Sequence, residues 1–177
     1  MPLPRFPVGF ALLALLTLAA CGGPPARDLG LAAPLECAPF ARALSGIALR
    51  GDAPTWWWAA AGRYQRGSTP EVGAAMLFAP TGRLPRGHVS VVSRVLSRRE
   101  ILVTHANWLH HRVLMDQLVV DESTRGDWSV ARVWWPPSGA LGATDYPVLG
   151  FVYAPSRASH DGIVGGVPRA IDIALEE

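Results

Sequence analysis

The chain contains no lysine, and all sixteen of its basic residues are arginine. So one-sided a choice reads as compositional bias rather than as chemistry. Charge is scarce overall: fourteen acidic residues leave a formal net charge of +2 over 177 residues. A balance so close to neutral excludes the basic footprint expected of a nucleic-acid binder. Cysteine is nearly absent, with only Cys21 and Cys37, so the chain cannot be a disulfide-stapled scaffold. There is no internal repeat, no heptad run and no second long apolar stretch beyond the one at the N-terminus.

That stretch, MPLPRFPVGFALLALLTLAACGG, places Arg5 ahead of an apolar run from Val8 to Leu18. The run is short of the roughly 20 apolar residues that a spanning helix needs. Its order, a positive residue followed by an apolar core and then small residues, is that of a signal peptide. Leu18-Ala19-Ala20-Cys21 resembles the lipobox of bacterial lipoproteins. That resemblance implies cleavage before Cys21, a lipid on its thiol, and a protein held on a bacterial membrane facing the periplasm or exterior. Cys37 would then be the lone thiol of the mature chain, in a compartment where unpaired thiols tend to be oxidised. A buried inert residue and a nucleophile both account for it.

Removing residues 1–20 takes away Arg5, lowers the formal charge to +1 and leaves 157 residues, enough for one domain with its own core. Residues 21–34 (CGGPPARDLGLAAP) read as the lipidated cysteine and a flexible tether, residues 35–155 as the main folded domain, and residues 156–177 as a Gly-rich, then weakly helical, tail without an assigned role. Within the domain, helices are expected over Cys37–Leu44, ending at Ser45-Gly46, and over Thr55–Tyr64. Strands are expected at Pro70–Phe78 after its opening turn, His88–Val95, Glu100–Trp108, Ser129–Trp135 and Val148–Tyr153, several of them alternating polar with apolar residues. Helices followed by an antiparallel run of strands make an α+β fold, with N-terminal helices packed on an antiparallel β-sheet.

Cys37 heads the first helix, where backbone N–H groups and the helix dipole favour a thiolate. Pro39 fits that first turn. His88, after Gly87 at the start of a strand, is a candidate general base. Joining strands 88–95 and 100–107 by the four-residue loop Leu96–Arg99 makes opposed residue numbers sum to 195. His88 then faces Asn107, and Ser90 faces His105, with Cβ atoms about 5 Å apart. An odd loop would move Asn107 to the other face. With the even loop, Cys37, His88 and Asn107 take the roles of nucleophile, base and orienter.

These segments together resemble the CHAP family, the cysteine, histidine-dependent amidohydrolase/peptidase domains. The resemblance is carried by ECAPFARALSG around Cys37, GDAPTWWWAAAGRY at Gly51–Tyr64, Pro70-Glu71-Val72-Gly73 before the strand ending at Phe78, Gly87-His88-Val89-Ser90-Val91-Val92, and Thr104-His105-Ala106-Asn107-Trp108. It runs from about Glu36 to Trp108, with a weaker tail to about Tyr153. It implies a papain-like fold, amide hydrolysis in peptidoglycan through an acyl-enzyme, Cys37 as nucleophile, His88 as base and Asn107 as the group that orients His88. The cut bond, N-acetylmuramoyl-L-alanine or a peptide link, is not specified. No cofactor is implied; the partners are the peptidoglycan substrate and the membrane reached through the lipid, and the chain is taken as a monomer. Two residues depart from the family pattern. His105 stands where many members have Glu, which shifts weight onto Asn107, and Ala74 stands where an acidic residue often follows the turn glycine.

The alternative to a hydrolase is a catalytically weak or inactive envelope lipoprotein of the same fold that binds peptidoglycan or a protein partner. A thiol amidase for a non-wall substrate is a third possibility. His105, on the site face opposite Ser90, is a candidate for substrate binding or for the polar network around His88. Trp57 is the member of the Trp56–Trp58 cluster expected beside the cleft. A zinc site from His105, His110 and His111 has spacings of five and one at a strand end, which do not match usual ligand sets, so these residues are not read as a metal site.

Overall fold

The computed structural model describes residues 27–29 and 35–177; the proposed signal peptide, Cys21 and most of the tether lie outside the described residues. The chain runs β1 (Arg27–Asp28), α1 (Cys37–Ser45), α2 (Ala53–Ala59), β2 (Arg66–Gly67), β3 (Ala75–Phe78), β4 (His88–Val95), β5 (Glu100–Ala106), β6 (Val113–Asp121), β7 (Val130–Trp135), a 3-10 turn (Pro136–Ser138), β8 (Ala140–Leu141), β9 (Tyr146–Val152) and α3 (His160–Leu175). The pairings between strands are antiparallel. Residues 27–28, assigned to the tether from sequence, pair with β6.

The expected sheet does not stay open. Its order β6-β5-β4-β3-β9-β7 returns to the start, because β7 also pairs with β6, Val120 lying opposite Arg132. The result is a closed barrel, which leaves those strands without unpaired edges. Strand alternation sorts the apolar residues onto its two faces. Met76, Phe78, Val92, Ile101, Val103, Val119 and Phe151 fill one core with Trp128 and Val133. Ala75, Leu77, Val89 and Val91 face the other way and pack with Ala41 of α1 and Ala53 and Trp56 of α2.

The helix expected over Thr55–Tyr64 runs instead over Ala53–Ala59, the two-residue strands β2 and β8 are additional, and two larger elements differ from the sequence reading. Strand β6 was not anticipated, because Asp116 and Gln117 interrupt its apolar pattern; Asp116 has a positive φ of 53° at an irregularity of the β5–β6 ladder. The tail is a 16-residue helix, α3, despite Gly165, Gly166 and Pro168. Its buried stripe Ile163, Val167, Ala170, Ile171 and Ala174 recurs at helical spacing and joins Phe40 of α1 in a third core. Packing of such a face outweighs weak intrinsic propensity. Ser159 caps the helix by accepting from the Gly162 N–H at 3.1 Å.

Candidate active site

Cys37 is the first residue of α1, after Glu36 in extended conformation. The helix stops where Gly46, at φ 73°, takes the left-handed turn and its N–H reaches the Arg42 carbonyl at 3.0 Å. Burial on the α1–β4 seam pushes the Cys37 thiol above its ordinary value. The backbone N–H of Val89 and those of Cys37 and Ala38 act against that rise by favouring the thiolate. The raised value favours the thiol form of the nucleophile candidate at rest.

His88 opens β4 beside Gly87, and here glycine is required. Gly87 has φ 63°, and a Cβ on it would lie 2.5 Å from the Phe78 carbonyl and 2.6 Å from Pro54 Cγ. The close approach of β3 and α2 seats His88 at one end of the barrel, with only 2% of its surface exposed. Its ring meets Phe78 and the edge of Trp108. Its Nε2 lies 3.0 Å from His105 Nδ1, and His105 Nε2 lies 3.0 Å from Gln117 Oε1. The three polar side chains thus cross β4, β5 and β6 on the face that carries the barrel core. Trp108 stacks on His105 with its ring plane 16° away. Burial holds His88 well below the usual imidazole value, and His105 adds to the effect. Burial also lowers His105 to about 4, partly offset by its bond to Gln117.

The expected Asn107–His88 bond is replaced by the His105–His88 bond. Asn107 has φ 61°, so its side chain leaves the strand alternation. Its Nδ2 donates to Glu36 Oε2 at 3.2 Å, and its Oδ1 accepts from the His111 N–H at 3.0 Å. Asn107 closes the β5–β6 turn and tethers the residue before Cys37. The register assumed from sequence holds only at the two pairs nearest the site, for a reason the sequence does not show. Val91 and Val92 do pair with Thr104 and Val103 at a sum of 195, but Val95 pairs with Ile101. The loop is one residue longer than expected, and an irregularity at Ser93 cancels it.

Cys37, His88 and Asn107 line one open cleft of about 480 Å³ between the start of α1, the start of α2 and the loop before β4. Four arginines and three acids stand around it: Arg86 pairs with Asp52 and Arg42 with Glu177. His105, Ser90 and Trp57 are not part of its lining. Ser90 is fully buried. Trp57 instead carries the Arg66 guanidinium 4.9 Å above its ring, because α2 turns that side chain towards β9, against Gly150. Gln117 and Glu36 were missed from sequence; each enters through one hydrogen bond across a long separation, which leaves no local pattern. His110 and His111 stack on each other at 3.7 Å. Among the described residues no three His, Cys, Asp or Glu side chains group as a metal-binding set.

Residues 28–107, just under half of the chain, match the family model described as the CHAP domain. The matched stretch contains Cys37, His88, His105 and Asn107, and ends before β6. No curated protein matches the chain.

Proposed function

We propose that the protein is a cysteine amidohydrolase or peptidase of the cell envelope that cleaves amide bonds in peptidoglycan. The observation that carries this reading is the cleft shared by Cys37 at a helix N-terminus and His88 at a strand start, inside the stretch that matches the CHAP domain. Cys37 is the nucleophile and His88 the base. His105 replaces Asn107 as the side chain that orients His88, and Asn107 holds Glu36. The thiol passes its proton to His88 as the sulfur attacks the carbonyl. The N–H groups near the start of α1 stabilise the oxyanion, and His88 then protonates the leaving amine and activates water for deacylation. Because burial raises the thiol and lowers the imidazole, the resting pair is neutral and the proton moves during attack. Anchorage through a lipid on Cys21 belongs to the same reading.

A second reading, a non-hydrolytic wall-binding module, draws on one observation: His88 is partnered by a neutral side chain rather than a carboxylate. One experiment separates the two. The protein and its Cys37→Ser variant are incubated with purified peptidoglycan under reducing conditions, and the released fragments are weighed by mass spectrometry. Hydrolysis predicts fragments with a new amine end from the parent protein and none from the variant, with binding retained. A folded, reduced protein that binds the wall but releases nothing would establish the second reading. Separately, Cys21→Ser is expected to move the protein out of the membrane fraction.

A further inference from the structure

Gln117 is fully buried in β6, and neither the cleft nor the matched family stretch includes it. Its carbonyl oxygen faces His105 Nε2 at 3.0 Å, while its own Nε2 is buried without a hydrogen-bond partner among the described residues. A buried amide with one unmet end is costly, so its one bond calls for a reason.

The direction of that bond fixes everything beyond it. A carbonyl oxygen only accepts, so His105 Nε2 carries the hydrogen. A neutral imidazole has one N–H, so His105 Nδ1 is a bare acceptor. His88 Nε2, 3.0 Å away, must then donate to it, which leaves His88 Nδ1 with a free lone pair. Reversing the Gln117 amide would reverse each step and put a hydrogen on His88 Nδ1, where it could not accept one from a thiol. We propose that Gln117 is a positioning residue that sets the tautomers of His105 and His88 and thereby makes His88 Nδ1 the base.

The proton inventory is simple. The Cys37 S–H bond breaks, an N–H bond forms at His88 Nδ1, and the positive charge stays on His88. His105 remains neutral and passes no proton on to Gln117. The kinetic consequence rests on the hydrolase reading; the tautomer assignment does not.

The test therefore has two arms. Nitrogen-15 spectra of the imidazoles, recorded on the full-length protein in detergent near neutral pH, report which nitrogen of each histidine is protonated. The Nε2–H form is expected at both His88 and His105, and an Nδ1–H form at His88 overturns the proposal even if the protein digests peptidoglycan. In the second arm Gln117→Met removes the acceptor and Gln117→Glu keeps it. The Met variant should show mixed His88 tautomers and a fall in kcat of about 10- to 100-fold, part of the roughly 10²- to 10⁴-fold that a positioned base supplies, with KM little changed. The Glu variant should keep the Nε2–H form at both rings and be the more active of the two, although its buried carboxylate makes it the less stable. Unaltered tautomers in Gln117→Met, or loss of kcat that follows stability alone in both variants, would overturn the proposal. A protein with no hydrolytic activity would sink the functional reading and leave the spectra of the unaltered protein to decide this one.

Discussion

Burial lowers the pKa of both imidazoles, and two rings 3.0 Å apart would repel if both were charged, so the pair is neutral near neutral pH. An acidic residue at position 105 would act differently: its carboxylate would stabilise the His88 imidazolium and raise the pKa of the base. His105→Glu is accordingly expected to move the acidic limb of the kcat/KM profile to higher pH, and an unmoved limb would mean that position 105 does not touch the base electrostatically. Because His105, not Asn107, bonds to His88, His105→Ala should lower kcat more than Asn107→Ala, in peptidoglycan digests run side by side. Equal or reversed losses would restore Asn107 as the orienter. The neutral resting pair has its own signature. Alkylation of Cys37 by a neutral reagent should climb only above about pH 8.5, the free-thiol value, and a plateau already reached near neutrality would instead show a preformed thiolate. At this scale the sequence reading named two residues that line one cleft, Cys37 and His88, and set Asn107 rather than His105 against the imidazole. Continued past Val91 and Thr104, the last bonded pair, the same register would set Ser90 opposite His105 and make His88 and His105 diagonal neighbours. That gap is about 7–8 Å at Cα, wide for Asn but within reach of two rings. The left-handed backbone of Asn107 takes the directly opposed side chain out of competition.

Strands and turns explain why this geometry survives two departures from regularity. The hairpin between β4 and β5 gains a residue in its loop and a compensating one at Ser93, whose hydroxyl donates to Asp116 Oδ1 at 2.7 Å. Asp116 sits at the irregularity of the next ladder and also faces His160 Nε2 at 3.3 Å, so one carboxylate joins β4, β6 and the first turn of α3. Long alternating segments such as β4 were legible because period two needs only the segment itself. Strand β6 was not, since its irregularity breaks the alternation and its polar residues make sense only beside Ser93, His105 and His160. The start of β4 is the least tolerant point. Gly87→Ala must hold an L-residue at φ 63° with its Cβ 2.5 Å from the Phe78 carbonyl. The left-handed conformation alone costs roughly 1–2 kcal/mol, so denaturant unfolding should show a loss of about 2 kcal/mol or more. Activity should fall further than stability, because His88 is the next residue; an active variant of unchanged stability would contradict the close approach described above.

The molecule as a whole binds the site to parts of the chain well beyond the matched stretch. Residues 28–107 contain α1, α2 and β3 to β5, but β3 takes its second neighbour from β9 and β5 from β6. The barrel closes only through β7, and α1 is covered by α3. A fragment of residues 28–107 is therefore expected to lack a cooperative unfolding transition, whereas residues 27–177 should show one; a cooperatively folded short fragment would refute this dependence. The buried histidines set the pH range over which the closed structure persists. Unfolded, each titrates near 6.5; folded, His105 does so at about 4 and His88 well below its usual value. Between those values the unfolded chain binds more protons than the folded one. Their contribution to stability is thus complete above about pH 6.5 and is lost as the pH falls towards the folded values. At about 1.4 kcal/mol per pH unit, the His105 contribution is on the order of 3 kcal/mol. Replacing His105 by Gln removes one of the two linked protons while leaving His88 an amide partner. Denaturant unfolding at several pH values between about 7 and 4.5 should show a shallower acid loss in His105→Gln than in the parent protein. Identical slopes would mean that burial does not lower His105 below its unfolded value, and the neutral His88–His105 pair would then not persist below about pH 6.5.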